Sequence, residues 1–180
     1  MTQSGEATAE SREQFVQRAM TDYESALVGY AAGILHDVER AREVVQDTFM
    51  RLCRQDIGKV RDGLKTWLFT VCRNRALDVL RKERRLEPVE DEQLGRMPSA
   101  QPAPDKLADR HERMEELMKY LNRLSDNQRE VILLKFQQGL SYKEISEVTG
   151  LGGGNIGFLI HTGLKRLREL LPGDILENLR

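Results

Sequence analysis

Apolar residues recur at helical spacing along most of the chain, and nowhere alternate in the two-residue rhythm of a half-buried strand. Around Asp22–Leu35, Tyr23, Leu27, Tyr30, Ala31 and Ile34 return every third or fourth position. After Asp37, whose short acceptor side chain suits an N-cap, Val38, Ala41, Val44, Val45, Thr48, Phe49 and Leu52 follow the i, i+3, i+4, i+7 template. Turn residues fill 55–63 and predict a loop. Leu64, Trp67, Leu68, Val71, Cys72, Ala76, Val79 and Leu80 then mark a long third helix.

Four of the five prolines fall between Pro88 and Pro104, in a stretch with almost no periodic apolar pattern. Residues 87–106 are therefore expected to be a linker between two helical modules. The second module starts with a helix over Lys106–Leu121. Ser125 and Gln128 form a capping box for a helix over Asp126–Gln137, which Gly139 ends. Ser141 and Glu144 form another box, opening a short helix to Thr149. Gly150–Gly154 makes a turn, and Asn155–Leu171 forms a last helix stopped by Pro172 and Gly173. Short helix, glycine turn, longer helix is the layout of a helix-turn-helix. The expected fold is all-α: a polar tail (1–19), a helical module (20–86), the linker (87–106), a helix-turn-helix module (107–173) and a C-terminal tail (174–180).

Composition removes several classes. With 39% hydrophobic and 32% charged residues in 180, the chain is globular rather than disordered. No apolar run approaches the roughly 18 residues of a membrane span. The polar start lacks a secretory layout. Cys53 and Cys72 make neither a disulfide framework nor a zinc spacing. A reduced, cytoplasmic, soluble protein without a cofactor is the expectation.

The net charge of −1 conceals a polarity. Cys72–Leu86 holds six cations (Arg73, Arg75, Arg81, Lys82, Arg84, Arg85) against Asp78 and Glu83, whereas 87–118 holds nine acidic residues against four basic. A charge run is usually a solvated helix face. This one continues a helix that starts with Trp67 and Phe69, and cations beside aromatics suit single-stranded nucleic acid. Trp67 alone is more often a core residue than a stacking platform.

The glycine turn lacks the lysine and preceding strand of a phosphate loop. His36, His111 and His161 sit in separate segments with no ligand spacing, so no enzymatic site assembles. On a helical wheel of the last helix, Ile156, Ile160, Gly163, Leu164, Leu167 and Leu171 cluster on one side. Asn155, Phe158, His161, Thr162, Lys165 and Glu169 project from the other, as groups able to read base edges. A helical hairpin used for packing is the alternative.

Asp37–Arg54, Lys65–Arg85 with its W-L-x-x-x-x-x-N-x-x-x-D-x-x-R pattern (Trp67, Leu68, Asn74, Asp78, Arg81), and Leu124–Leu171 resemble regions 2 and 4 of bacterial sigma factors. With no domain between the two regions, the chain is similar to the small extracytoplasmic-function group. The resemblance implies a specificity subunit of RNA polymerase, not an enzyme. It implies that Glu43, Gln46, Asp47 and Phe49 grip the clamp helices of the polymerase β′ subunit. Residues 55–63 and the start of the third helix match the part that opens the −10 element and captures a flipped base. Trp67, Arg73, Asn74, Arg75, Arg81, Lys82, Arg84 and Arg85 match the −10 DNA face. The second module matches the reader of the −35 element, through Ser141, Lys143, Asn155, Phe158, His161, Thr162, Lys165 and Arg166, and meets the β flap. Family members are commonly held inactive by an anti-sigma factor, and Phe158 and Leu159 are candidate contacts.

Independent physics agrees: a linker of about 20 residues spans roughly 65 Å when extended, about two turns of duplex. A dimeric helix-turn-helix regulator of duplex DNA is the competing reading; a protein that binds polymerase without touching promoters is another.

One departure from the family pattern stands out. Where its recognition helix usually reads G-T-V-K-S-R-L-x-R-A, this chain places Gly157, Leu159 and Thr162 at the Lys and two Arg positions. Fewer phosphate or base contacts predict weaker −35 binding with a flatter salt dependence than in relatives with the basic pattern, and either an unusual −35 preference or a second module specialised for protein partners. Titrating holoenzyme–promoter affinity against salt, beside such a relative, checks this; equal slopes would contradict it.

Overall fold

The structure, a computed structural model, describes residues 10–86 and 119–171, without the side chains of Arg84 and Leu86. Every regular element among the described residues is helical. The chain divides into two compact units.

In the first unit, α1 spans Arg12–Leu35. It begins ten residues before the predicted Asp22, and residues 12–19 are therefore helix and not tail. A capping box starts it: the Gln14 N–H donates to Ser11 Oγ at 3.2 Å, and the Ser11 N–H to Gln14 Oε1 at 3.0 Å. Only Phe15 and Ala19 are buried in this stretch, four residues apart, so the charged outer face hides the helical signal in the sequence. His36 ends α1 in the left-handed conformation (φ 56°), its N–H donating to the Ala32 carbonyl.

Asp37 caps α2 (Val38–Cys53) as expected, accepting from the N–H groups of Glu39 and Arg40. The predicted loop at 55–63 is instead a short helix, α3 (Ile57–Val60), capped by Asp56, and a 3₁₀ turn, Arg61–Gly63. A single turn carries too little periodicity to declare itself in sequence. The next helix, α4, runs over Leu64–Leu86.

Helices α1, α2 and α4 pack pairwise around one core. Leu27, Ala31 and Leu35 of α1, Ala41, Val44, Val45 and Leu52 of α2, and Leu68, Phe69, Cys72 and Ala76 of α4 are all buried. Phe69 meets Tyr30 edge-on at 5.2 Å and is wholly enclosed, so it is a core residue and not a stacking platform for bases. Burial pushes the Cys72 thiol up to about 12, against a smaller lowering from its hydrogen bond with Thr48. Cys72 is thus a small hydrophobe, while Cys53 is exposed.

In the second unit, residues 119–121 close a helix; the rest of the predicted 106–121 helix, the linker and both tails lie outside the described residues. The Ser125–Gln128 box opens α5 (Asp126–Ile132). The α-helix does not continue to Gln137: Leu133–Gln137 form a π-helical turn, closed by the Gln138 N–H on the Leu133 carbonyl. Gly139 then takes the positive φ (69°) expected of a helix stop.

Helix α6 (Tyr142–Thr149) carries the Ser141–Glu144 box and ends at Gly150 with φ 76°. Helix α7 (Gly153–Leu170) starts two residues before the predicted Asn155. Its apolar stripe, Ile156, Ile160 and Leu167, is buried in the same unit as Val131, Ile132, Leu134, Ile145 and Val148.

Gly163 marks a close approach within that stripe. A Cβ there would lie 2.7 Å from Ile132 Cδ1 and 3.3 Å from Gln128 Cβ. The Ile132 Cδ1 is the end of a flexible side chain and can turn aside for an alanine. The larger side chain of Gly163→Leu would also have to displace Gln128, and such overpacking costs about 1–3 kcal/mol. The expected result for Gly163→Leu is a lower melting temperature of the second unit, read as earlier loss of amide-exchange protection in α7. A variant with higher protection would contradict this close approach.

Candidate nucleic-acid interface

Because Leu68, Phe69, Cys72 and Ala76 turn inward, the opposite side of α4 faces solvent. Asn74, Asp78, Arg81, Lys82 and Arg85, spaced at three, four and seven, are exposed along it. Arg81 donates to Asp78 Oδ1 at 3.2 Å, an exposed pair of small energetic weight that phosphate can displace.

Not every residue predicted for this face is equally presented. Arg73 and Trp67 are half-buried at its edge. Arg75 Nε donates to Asp47 Oδ2 at 2.7 Å, tying α4 to α2. Arg40 of α2 pairs likewise with Glu83 of α4. Arg84 lies among the side chains outside the description.

The Arg75–Asp47 bond joins two predicted sites, since Asp47 was expected to face polymerase. On α2, Glu43 and Gln46 are exposed, as a contact surface requires, whereas Phe49 is 5% exposed and packs inward. Phe49 nonetheless forms the floor of an open groove between α1 and α2, with Met20, Val28, Val45, Gln46, Met50 and Cys53 around it. Met50, half-exposed, is a contact candidate that sequence pattern did not single out, because it falls off the apolar stripe.

In the second unit, Asn155, Phe158, His161, Lys165 and Arg166 are exposed on α7, with Lys143 exposed on α6. Phe158 is 64% exposed, high for a residue of its size. Arg166 pairs with Glu169 at 3.1 Å. Two predicted readers are otherwise engaged. The Ser141 hydroxyl donates to Glu144 Oε2 at 2.6 Å within the α6 cap. The Thr162 hydroxyl donates to the Phe158 carbonyl at 2.8 Å and accepts from Gln128 Nε2 at 3.1 Å, so Thr162 anchors α7 to α5.

The described part of α7 before Lys165 carries no Lys, Arg, Asp or Glu. Any reading of DNA by that half rests on amide, ring and apolar contacts rather than charge. Tyr142 of α6 lies 3.7 Å from where a Gly157 Cβ would stand, in ordinary contact distance, with the Lys135 ammonium 5.4 Å from its ring. No group of residues able to hold a metal occurs among the described residues. No helix of theirs is long and apolar enough to cross a membrane.

Known proteins match the same two blocks. The family described as Sigma-70 region 2 matches residues 19–86, and Sigma-70, region 4 matches 114–167. The ECF RNA polymerase sigma factor SigM of Bacillus subtilis is 28% identical over 148 residues, 82% of this chain and 90% of the relative. ECF sigma factor EcfG of Rhodopseudomonas palustris is 30% identical over 150 residues, 83% and 81% of the two chains. ECF sigma factor RpoE of Cereibacter sphaeroides is 35% identical over 132 residues, 72% and 71%. Among solved structures, the sigma factor RpoE in complex with the anti-sigma factor NepR from Bartonella quintana superposes with a TM-score of 0.64 at 27% identity, covering 89% of this chain and 99% of that one. Helical modules of the right kind, a cationic α4 face, a helix-turn-helix and these matches agree: the chain belongs to the extracytoplasmic-function group of sigma-70 RNA polymerase sigma factors.

Proposed function

We propose that the two units divide promoter recognition between them, with residues 20–86 serving the −10 element and core polymerase and residues 107–173 the −35 element. The observation that carries this is the stripe of Asn74, Arg81, Lys82 and Arg85, exposed along one side of a helix whose other side is locked in the core. Cations at that spacing follow a phosphate backbone. Trp67, half-buried at the same helix's start, supports a ring facing an unstacked base. Residues 55–63 lead into that helix and are read as the segment that captures the flipped base.

Glu43 and Gln46, with the exposed Met50, present the surface of α2 to the β′ clamp helices, while Asp47 holds Arg75 and Phe49 supports the groove from beneath. Asn155, Phe158, His161, Lys143 and Lys165 supply the −35 surface, and this unit also meets the β flap. The protein contributes binding and strand separation in the cytoplasm, and catalysis stays in the polymerase. The anti-sigma factor bound to the Bartonella quintana relative supports a partner of that kind here.

Run-off transcription of pooled genomic fragments with core polymerase maps the start sites this chain specifies. The Arg81→Ala/Lys82→Ala variant is expected to bind core polymerase normally and to lose most of those starts. Removing two phosphate contacts also flattens the salt slope by about 1 to 2 units. Start sites unchanged in the variant would overturn the assignment of the α4 face. Loss of duplex binding in the absence of polymerase would favour a dimeric regulator.

A further inference from the structure

Residues 10–18 precede the Sigma-70 region 2 match at 19–86, yet they make the contacts that hold residues 55–63 in place. Arg12 Nη1 donates to the Cys53 carbonyl at 2.8 Å and to the Gln55 carbonyl at 3.0 Å. One guanidinium nitrogen thus spans the junction between the end of α2 and the start of the segment. The Cys53 carbonyl is among the last of α2, which has no partner within the helix, and a cation suits that helix end.

The far end of the segment is tied to the same place. Arg61 Nη1 donates to Glu10 Oε2 at 3.2 Å, and its guanidinium lies 5.2 Å from the Phe15 ring centre. Glu10 also receives Arg18 Nη1 at 2.7 Å, and Arg18 covers the Phe15 ring at 5.7 Å. Phe15 itself is 1% exposed, so this platform is anchored in the core. Between the two ties, Gly58 and Lys59 remain exposed, on a short helix that Asp56 caps through the Gly58 N–H.

We propose that the start of α1 is a buttress that sets the position of residues 55–63 for base capture, with Arg12 and Glu10 as positioning residues. This rests on the reading of 55–63 as the base-capturing segment. A four-residue helix between two turns cannot hold its own shape in water, because nucleation outweighs the few hydrogen bonds it makes. Fixed ends remove that cost before the base arrives and so favour capture.

The test uses holoenzyme and two fluorescent single-stranded oligonucleotides carrying the −10 element of a mapped promoter. One is intact and the other has an abasic site at the captured base. Unaltered holoenzyme is expected to prefer the intact strand; equal binding of the two would overturn the base-capture reading itself. Given that preference, Arg12→Ala should weaken binding of the intact strand about tenfold, as expected for losing charge-assisted hydrogen bonds, and leave the abasic strand and core affinity unchanged. Arg12→Lys, which can reach one carbonyl, should recover part of the loss. Glu10→Gln, which leaves the α2 end capped, should shift the same ratio in the same direction. An unchanged ratio in both Arg12→Ala and Glu10→Gln, or an equal loss on both strands, would overturn the buttress.

Discussion

The seating of α4 between α1 and α2 is the constraint on which the first unit depends. Leu68, Phe69, Cys72 and Ala76 are fully enclosed, and each large side chain among them contributes about 1.5–3 kcal/mol by leaving water. Phe69 adds an edge-on contact with Tyr30. That registration fixes the rotation of the helix, and rotation decides which residues face outward. With α4 turned by one residue, about 100°, Asn74 and Lys82 would swing off the exposed line. The two ion pairs from α2, Arg40 with Glu83 near one end of the shared interface and Asp47 with Arg75 near the middle of both helices, oppose such a rotation.

The second unit solves a similar problem with a different device. Helices α5 and α7 approach closely at Gly163, where an added Cβ would press on the tip of Ile132 and on Gln128, and the Gln128–Thr162 hydrogen bond lies one residue away. Thr162 is thereby spent on positioning α7, at a position where the resemblance implies an arginine. A long cation at 162 would have to abandon the bond to Gln128.

Much of this was legible beforehand. The capping boxes at Ser125 and Ser141, the Asp37 cap, the glycine stop at 139 and the glycine turn from 150 are visible in the sequence because each is a local rule with a local cause. The same rule applied to Ser11 and Gln14 would have found the true start of α1. Only Phe15 and Ala19 mark the buried side there, so the apolar periodicity that accompanies the other caps is weak at this one. Tertiary effects were not legible: Phe49 and Phe69 differ from exposed aromatics only through packing, Asp47 meets Arg75 from 28 residues away, and the π-helical turn at 133–137 leaves no periodic trace. Tying residues 10–18 to 55–63 likewise needs coordinates, since an arginine bound to distant carbonyls has no sequence signature.

On the proposed division of labour, a single chain addresses DNA at two places through faces borne by its two units. Photo-crosslinking from residue 74 and from residue 155, in holoenzyme on one mapped promoter, measures this directly. The account predicts two crosslinked positions about 20 base pairs apart, near two helical turns, with residue 74 marking the downstream strand that opens. Crosslinks from both residues to one site, or from residue 155 to polymerase protein alone, would contradict it.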